Sequence, residues 1–396
     1  MPHVISRPGI VSSGTQIAAY LALVHAVNDV MTAILGALLP TLQARFAAGT
    51  TTLALLVAVF SISSSVTQPL LGAFADRAGL RHVASAGVAL AAVSLSLVGV
   101  TGSIPLVLVL LALGGLGSAA LHPVSTSIVG GGTTRNPGLA VGLFTAGGMA
   151  GFAAGPVLIL YLVSAHGTGV TPWLMLPGLL LALGVLTLLP DWRPHGTGSL
   201  TRRLLDRRVV TGPVGLLTVA ATLVSLVFIT FTSAVPLWLV AEHGIAPDAT
   251  QLGWILGGFS LGAGLGAIAA GAVAARYGYA RTTAVSLVTA TLPLAAVLLL
   301  PGRIVPLIAA AVAAGALVYA SQPLLIVAAQ NAAPKAPAAA AGVVMGVGNA
   351  IAGLLYIPLG TVQAAFGLTT TMAVTFAVLL PAAAIAHIAL RTSNAP

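Results

Sequence analysis

The sequence predicts an all-α membrane protein with twelve transmembrane helices in two pseudo-symmetric six-helix bundles. Hydrophobic side chains make up 58% of the 396 residues and charged ones only 5%, whereas a soluble domain carries roughly 25% charged residues. Long apolar runs recur along the chain, and the two halves share residues at matching positions. Lipid is therefore the main solvent of the protein surface. The absence of cysteine excludes disulfide bonds and thiolate metal sites.

Twelve apolar runs are long enough to cross a membrane. A spanning helix needs about 20 mostly apolar residues, because every backbone N–H and C=O must be paired inside the segment. An apolar run of spanning length follows the first fifteen residues, so we expect no cleaved signal peptide. The predicted spans are 16–40, 51–74, 83–101, 105–128, 138–164, 172–190, 213–240, 251–274, 282–300, 305–329, 339–363 and 367–390.

The positions of Lys and Arg predict the orientation, because basic loops stay in the cytoplasm. With an even number of spans both termini share a side, and that side carries thirteen basic residues against two on the other, Arg45 and Arg303. We therefore expect a multi-pass protein of the cell inner (plasma) membrane with both termini cytoplasmic. The basic residues are scattered between apolar runs and do not cluster on one soluble face, so the net charge of +9 does not indicate a nucleic-acid partner. The thirteen residues are Arg7, Arg77, Arg81, Arg135, Arg193, Arg202, Arg203, Arg207, Arg208, Arg276, Arg281, Lys335 and Arg391.

Internal repetition divides the chain into two similar halves. The longest polar stretch lies near the midpoint, so we predict a bundle over 1–190, a cytoplasmic linker over 191–212 and a second bundle over 213–396. Two such bundles are typical of transporters that rock between inward-open and outward-open states. Residues match at a shift of 199 or 200, as in Phe60 and Phe259, Arg77 and Arg276, Pro123 and Pro323, and Gly142 and Gly342.

A short motif after the second predicted span reads Gly72-Ala-Phe-Ala-Asp76-Arg77-Ala-Gly79-Leu-Arg81. It resembles the loop signature of the major facilitator superfamily, which implies the major facilitator fold and a conformational-switch loop made of the five numbered residues. A physical reason for the acid is that Asp76 can face the positive N-terminus of the eleventh span. The second-half copy has Ala275 at the position of this acid.

The fifth predicted span is rich in glycine and is similar to the superfamily's fifth-helix motif. Small residues at this spacing let two helix backbones approach closely, so we expect a helix-packing hinge there, with packing alone as the alternative. The residues concerned are Gly147, Gly148, Gly151, Gly155 and Pro156.

Further motifs are similar to those of the fosmidomycin-resistance family of drug efflux proteins. They are His25-Ala-Val-Asn28-Asp29, Leu121-His122-Pro123, Phe144-x-x-Gly147-Gly148 and Ala329-Gln330-Asn331-Ala332-Ala333-Pro334. The resemblance implies proton-driven export of a small polar or anionic compound such as fosmidomycin. Val124 and Asn331 stand where relatives often have an acid.

One acid and two histidines lie deep in the predicted spans of the first half. Asp29 lies near the middle of the first span, where an ionised carboxylate costs at least about 2.5 kcal/mol unless it faces a partner or a wet cavity. His25 is one helical turn away on the same face, and His122 lies at a comparable depth in the fourth span. We predict that these three couple transport to protons, since such groups titrate in an accessible range. Alternatively, the histidines satisfy buried carbonyls and Asp29 caps a kink.

The second half has no matching acid, because Phe228 aligns with Asp29 and Gln322 with His122. Charge coupling is therefore assigned to the first half. We expect an aromatic and hydrogen-bonding substrate cavity, with ordinary helix packing as the alternative for each member. The predicted cavity residues are Asn28, Phe228, Phe231, Tyr319 and Gln322.

The sequence favours a secondary transporter that works as a monomer by proton antiport. An importer or facilitator of a sugar or another metabolite is the alternative, and the two differ in the direction of flux and of the accompanying protons. A membrane-embedded enzyme is disfavoured, because the predicted spans offer no Cys, no Glu and no spacing typical of zinc ligands. We expect no cofactor and no metal, and the expected partners are a small-molecule substrate, protons and lipid.

Overall fold

The computed structural model describes residues 4–7, 13–130, 137–193, 212–333 and 337–392. Among these residues, eleven helical segments are long and apolar enough to cross a membrane, which confirms the all-α membrane fold. We number the spans in chain order and count the shorter pair within 50–78 as the second. The helices are Gly14–Thr32 and Ile34–Phe46; Thr50–Ser65 and Gln68–Ala78; Leu80–Leu97; Ile104–Gly130; Pro137–His166; Met175–Leu188; Pro213–His243; Thr250–Tyr277; Tyr279–Leu299; Ile304–Tyr319 and Ser321–Ala332; Pro337–Gly342 and Gly348–Phe366; Leu368–Ala377 and Leu379–Thr392.

The second span is interrupted, and this accounts for eleven candidates where the sequence predicts twelve. The helix Thr50–Ser65 ends before Val66, and the next helix begins at Gln68. Side chains at the break replace helical hydrogen bonds: Thr67 Oγ1 donates to the Ser63 carbonyl, and Gln68 Nε2 donates to the Ser64 carbonyl at 2.9 Å. The break has a signal in the sequence, because Ser63-Ser-Ser-Val-Thr-Gln-Pro69 is largely polar and Pro69 stands at the start of the following helix. The continuous span predicted over 51–74 overlooks this signal.

Two other spans have irregular turns close to polar side chains. The first span breaks at Ala33, where the Ala33 N–H and the Thr32 hydroxyl both donate to the Asp29 carbonyl, at 3.1 and 3.0 Å. The eleventh span contains a π-helical turn over Val343–Val347, just before Asn349. Such turns change the direction in which the following side chains point, and they occur frequently at functional sites.

Contacts between Cα atoms divide the chain into two compact units. The first consists of Met1–Leu35 and Ser63–Leu200, and the second of Gly36–Ile62 and Thr201–Pro396. The segment Gly36–Ile62 groups with the second unit through contacts such as the 2.9 Å hydrogen bond from Thr50 Oγ1 to the Gly360 carbonyl. The bundles over 1–190 and 213–396 stay a prediction.

A small two-stranded sheet adds to the helical fold. The strand Val4–Arg7 pairs antiparallel with Asp191–Arg193, and Ile5 lies opposite Trp192. The residues before the first span thus pair with the start of the segment that the sequence predicts as the linker. The rest of that linker, from 194 to 211, lies outside the described residues.

Glycine allows the closest helix packing in the second unit. A Cβ atom on Gly266 would overlap the Ala316 carbonyl oxygen, and one on Gly315 would overlap the Phe259 carbonyl oxygen. The eighth and tenth spans therefore touch backbone to backbone. A larger residue at either glycine would have to move a whole helix, because the atom it meets belongs to the main chain.

We expect Gly266→Ala to lower the free energy of unfolding by about 1–3 kcal/mol, because overpacking against a rigid backbone cannot relax. Gly271→Ala in the same helix is the matched control, since a Cβ there meets nothing within 4 Å. Gly271→Ala should be neutral or stabilising by up to about 1 kcal/mol, because alanine has a higher helix propensity than glycine. Thermal and denaturant unfolding of the purified protein measures both, and equal stability of the two variants would contradict the packing described here.

Candidate functional site

A cluster of three ionisable side chains lies in the first unit, where the first, fourth and fifth spans meet. Asp29 Oδ2 lies 3.2 Å from His25 Nε2, and the rings of His25 and His122 meet edge to face with centroids 4.8 Å apart. One nitrogen or oxygen atom from each of the three lies within 4.8 Å of the others. The structure thus brings together the three residues that the sequence predicts to converge.

The fifth span fixes the orientation of the His25 ring. His25 Nδ1 lies 2.8 Å from the carbonyl oxygen of Phe144, and the Phe144 ring stacks on the imidazole with centroids 4.1 Å apart. Because a carbonyl oxygen can only accept, Nδ1 carries the proton and donates it to Phe144. This hydrogen bond leaves Nε2 as the ring atom that faces Asp29.

The contact between His25 Nε2 and Asp29 Oδ2 requires one proton. Either an imidazolium donates to the carboxylate, or a protonated carboxyl donates to a neutral imidazole, and in both cases a single hydrogen lies between the two atoms. Without it, the lone pair of Nε2 would face the lone pairs of an oxygen anion. The geometry therefore makes the contact depend on whether the pair holds a proton.

Asn28 holds the other oxygen of Asp29. Its Nδ2 atom lies 3.0 Å from both Asp29 Oδ1 and Ser118 Oγ, and the residue is only 2% exposed. The sequence predicts Asn28 as a substrate contact, whereas its amide is used to position the acid. Ser118 was missed by the sequence analysis, although it lies one helical turn before His122 and therefore on the same face of the fourth span.

The glycines of the fifth span determine how closely it packs on the first. Cβ atoms on Gly147 and Gly151 would overlap the carbonyl oxygens of Ala22 and Ala26. A Cβ on Gly155 would meet Ala33 Cβ at 2.8 Å. These positions, together with the buried Pro156 inside the same helix, form the packing surface that the sequence predicts.

Gly148 is different from its neighbours, because it faces the functional cluster directly. A Cβ atom at Gly148 would lie 2.5 Å from His25 Nε2 and 2.7 Å from Nδ1. The space that the imidazole occupies therefore exists only because this residue has no side chain. The glycine pattern of the fifth span predicts a packing role for Gly148, and it does not indicate that Gly148 also leaves space for the His25 ring.

The predicted switch loop is a tight turn between two helices. The helix Gln68–Ala78 ends at Gly79, whose φ of 98° is strained for any residue with a Cβ, and the next helix begins at Leu80. Arg81 Nη1 donates to the Leu189 carbonyl at 3.2 Å, and a Cβ on Gly72 would contact Pro123 at 3.3 Å. The side chains of Asp76 and Arg77 lie outside the described part of the structure.

Of the aromatic residues predicted to line the cavity, Phe228 and Tyr319 contact each other in the second unit, with ring centroids 5.5 Å apart and both side chains partly exposed. Phe231 is fully buried and stacks on Phe259 at 3.8 Å. Its position therefore favours the packing alternative.

Gln322 is connected by hydrogen bonds to two polar residues, Ser225 and Asn349, that were not predicted as site residues. Its Nε2 atom donates to Ser225 Oγ at 3.4 Å, and Ser225 Oγ donates to Asn349 Oδ1 at 2.5 Å. A shift of 199 aligns Val224 with His25, whereas the shift of 200 that matches the fourth and tenth spans aligns Ser225 with it. Using the second register throughout would have identified Ser225.

Two imidazoles and a carboxylate at these distances also form a donor set that metal ions use. His25 and Asp29 nevertheless contact each other directly, at the distance of a hydrogen bond. Their outer atoms are held by a carbonyl and an amide, an arrangement that orients a hydrogen-bonded pair and metal ligands alike. The direct contact between His25 and Asp29 is the feature that favours a proton between them.

The amino-acid sequence of the chain is similar to those of known transporters. The model of the family described as Major Facilitator Superfamily matches residues 21–353. Over 172 residues the chain is 30% identical to the fosmidomycin resistance protein of Escherichia coli (strain K12), covering 43% of this chain and 42% of that protein. Over 206 residues it is 26% identical to the uncharacterized MFS-type transporter YfnC of Bacillus subtilis (strain 168), covering 50% and 48%. The chain thus matches less than half the length of these two relatives.

Solved structures of transporters share the fold over nearly the whole chain. A bacterial homologue of the human lysosomal transporter Spinster, in an inward-facing and occupied conformation, superposes with a TM-score of 0.76 at 16% identity and covers 96% of this chain and 97% of its own. A point mutant of the nucleoside transporter NupG gives a TM-score of 0.76 at 14% identity, covering 96% and 100%. At such identities the likeness shows the fold alone.

We expect Gly148→Ala to reduce transport by about tenfold or more, since the new methyl group displaces the His25 ring and a rise of about 1.4 kcal/mol in the barrier corresponds to tenfold in rate. Gly142→Ala, in the same helix, meets nothing within 4 Å and should keep normal transport. Flux in proteoliposomes at matched protein content compares the two. Equal flux would show that the ring position is unimportant.

Proposed function

Because the chain belongs to the major facilitator superfamily, whose members are multi-pass membrane transporters of small molecules, we propose that it is a proton-coupled antiporter that exports a small polar or anionic compound such as fosmidomycin. The observation that carries the proton coupling is the His25–Asp29 contact, which requires one proton. The partial identity to the Escherichia coli fosmidomycin resistance protein supports the substrate class and the direction.

In this proposal the cluster is the coupling site. The Asp29 side chain is 15% exposed and that of His25 is 10% exposed, so the protein does not enclose either group completely. The mechanism requires that this opening admits water. Protonation from the external side closes the contact between the two residues, and release of the proton to the cytoplasm opens it. His122, whose ring meets that of His25, is the group that receives or supplies the proton next.

The broken first span gives the proton a mechanical effect. The irregular turn at Ala33 follows Asp29 by one turn, and the Asp29 carbonyl accepts the ordinary helical bond from the Ala33 N–H and a further bond from the Thr32 hydroxyl. The chain passes from the first compact unit to the second just after this break, between Leu35 and Gly36. A change in the position of Asp29 therefore acts where the first span can bend.

The topology follows from the charge distribution of the sequence. We propose that the protein lies in the cell inner membrane with both termini in the cytoplasm, and that it functions as a monomer. The bundles over 1–190 and 213–396 then move against each other, with the segment 191–212 as the cytoplasmic linker. Lipid, protons and the transported compound are the partners that this mechanism needs.

Asp29→Asn should abolish proton-driven flux, because a carboxamide cannot take up or release the proton. Fluorescence quenching of a pH-sensitive dye in proteoliposomes reports the substrate-dependent proton movement. Asp248→Asn removes an acid from the loop after the seventh span and serves as the matched control, which should pump normally. Thermal unfolding of both variants verifies that they fold, and unchanged pumping by a folded Asp29→Asn protein would remove Asp29 from the mechanism.

The direction of transport can be tested with vesicles of both orientations. Inside-out vesicles with an acidic interior should accumulate fosmidomycin, since an antiporter exchanges internal protons for substrate. Expressing cells should also tolerate more fosmidomycin than cells without the protein. Accumulation in right-side-out vesicles under an inward proton gradient would instead establish the importer, and equilibration without a gradient effect would establish a facilitator.

A further inference from the structure

We propose that Ser225, Gln322 and Asn349 form a binding subsite for an uncharged hydrogen-bonding group of the substrate, such as a hydroxyl, an amide or a hydroxamate. The inference rests on the proposed transport function and names the chemistry that the second unit recognises. The three residues belong to the seventh, tenth and eleventh spans. We call them the polar row.

The polar row is a directed chain of hydrogen bonds. Gln322 Nε2 donates to Ser225 Oγ at 3.4 Å, and Ser225 donates its hydroxyl hydrogen to Asn349 Oδ1 at 2.5 Å. Ser225 and Gln322 are buried, whereas Asn349 is exposed. The chain therefore runs from the protein interior to an accessible amide.

The two ends of the polar row offer one donor group and one acceptor group. Within the described residues, the amide nitrogen of Asn349 and the Oε1 atom of Gln322 have no hydrogen-bond partner from the protein. A ligand group that both accepts and donates, as a hydroxyl, an amide or a hydroxamate does, would satisfy both ends. A group that only accepts would leave the Gln322 oxygen unpaired, which is costly in a dehydrated site.

An aromatic pair lies beside the polar row. Phe228 follows Ser225 by three residues and Tyr319 precedes Gln322 by three, so each aromatic residue shares a helix face with its polar neighbour. The two rings are 5.5 Å apart with an angle of 50° between their planes. Both are partly exposed, and they can contact an apolar or ring segment attached to the polar group.

Charge separates this subsite from the cluster in the first unit. The described residues of the three spans contain no Lys or Arg, and their only histidine, His243, lies eighteen residues after Ser225. That distance is about 27 Å along the helix at 1.5 Å per residue. An anionic group bound at the polar row would thus find no cationic side chain on the three spans that form it, which favours an uncharged group.

The internal repeat supports the placement of the subsite. A shift of 200 residues relates His25 to Ser225 and His122 to Gln322. The two histidines contact each other in the first unit, and Ser225 contacts Gln322 in the second. At this shift neutral hydrogen-bonding groups occupy the positions of the two histidines, and the apolar Ile229 stands at the position of Asp29. Such a replacement is expected where a site must hydrogen-bond a ligand without exchanging protons.

The eleventh span presents Asn349 through its irregular turn. The π-helical residues Val343–Val347 come just before it, and the Ser61 hydroxyl donates to the Asn349 carbonyl at 3.2 Å. The backbone at Asn349 is thus positioned by the π-helical turn before it and by the hydrogen bond from Ser61. This is the precision that a hydrogen-bonding subsite needs.

Thermal unfolding of the purified full-length protein with four probes tests the inference. Uridine and fosmidomycin carry hydroxyl, amide or hydroxamate groups, whereas benzoate and methylphosphonate are anions without them. We expect a saturable rise of Tm with uridine or fosmidomycin and none with the two simple anions. The apparent Kd should rise about tenfold or more in Asn349→Leu and in Gln322→Leu, as expected when one partner of a buried hydrogen bond is lost.

Asn331→Leu is the matched control, because this exposed asparagine near the end of the tenth span lies outside the polar row and should leave binding unchanged. Asn349→Asp should weaken the binding of fosmidomycin more than that of uridine, since the added negative charge repels the anionic compound. Equal binding by Asn349→Leu and Asn331→Leu, a response to the simple anions, or no response to any probe would overturn the inference. Asp29→Asn should bind the probes normally, so failure of the proton mechanism is distinguishable from failure of the subsite.

Discussion

The fold and the proposed mechanism depend on one constraint, namely that a carboxyl group inside a membrane must have a partner. Asp29 meets this constraint by contacting His25 within its own helix and Asn28 beside it, and the fifth span in turn orients His25 through the Phe144 carbonyl. Because that carbonyl occupies Nδ1, only one proton position remains between imidazole and carboxyl. A structural requirement of burial thus becomes a switch with two states.

Glycine makes this arrangement possible, because the first and fifth spans approach until their backbones touch. Gly147 and Gly151 set the helix distance, and Gly148 leaves room for the imidazole. The second unit uses the same principle at Gly266 and Gly315, where no titratable group is involved. Both units therefore depend on glycine for close helix packing, although at different pairs of spans. They differ in the groups at positions related by the repeat, which are imidazoles in one and neutral amide and hydroxyl groups in the other.

The spans and the cluster of His25, Asp29 and His122 could be predicted from the sequence, because hydropathy and helical periodicity are local properties. Which atom a side chain contacts depends on helix rotation, which periodicity does not fix. For this reason the sequence assigned Asn28 to the substrate, whereas its amide holds Asp29 and Ser118. The π-helical turn before Asn349 lies in an apolar run that gives no sign of it. The break in the second span, in contrast, coincides with a polar stretch that ends in Pro69, which the prediction of one continuous span overlooked.

Nitrogen-15 NMR of the His25 side chain tests the central claim most directly, with the signals assigned by comparison with His25→Gln. Nδ1 should stay protonated at every pH at which the protein is folded, because the Phe144 carbonyl can only accept. Nε2 alone should gain and lose a proton, and its titration should change in Asp29→Asn. Loss of the proton from Nδ1, or a titration of Nε2 that is indifferent to Asp29, would contradict this claim.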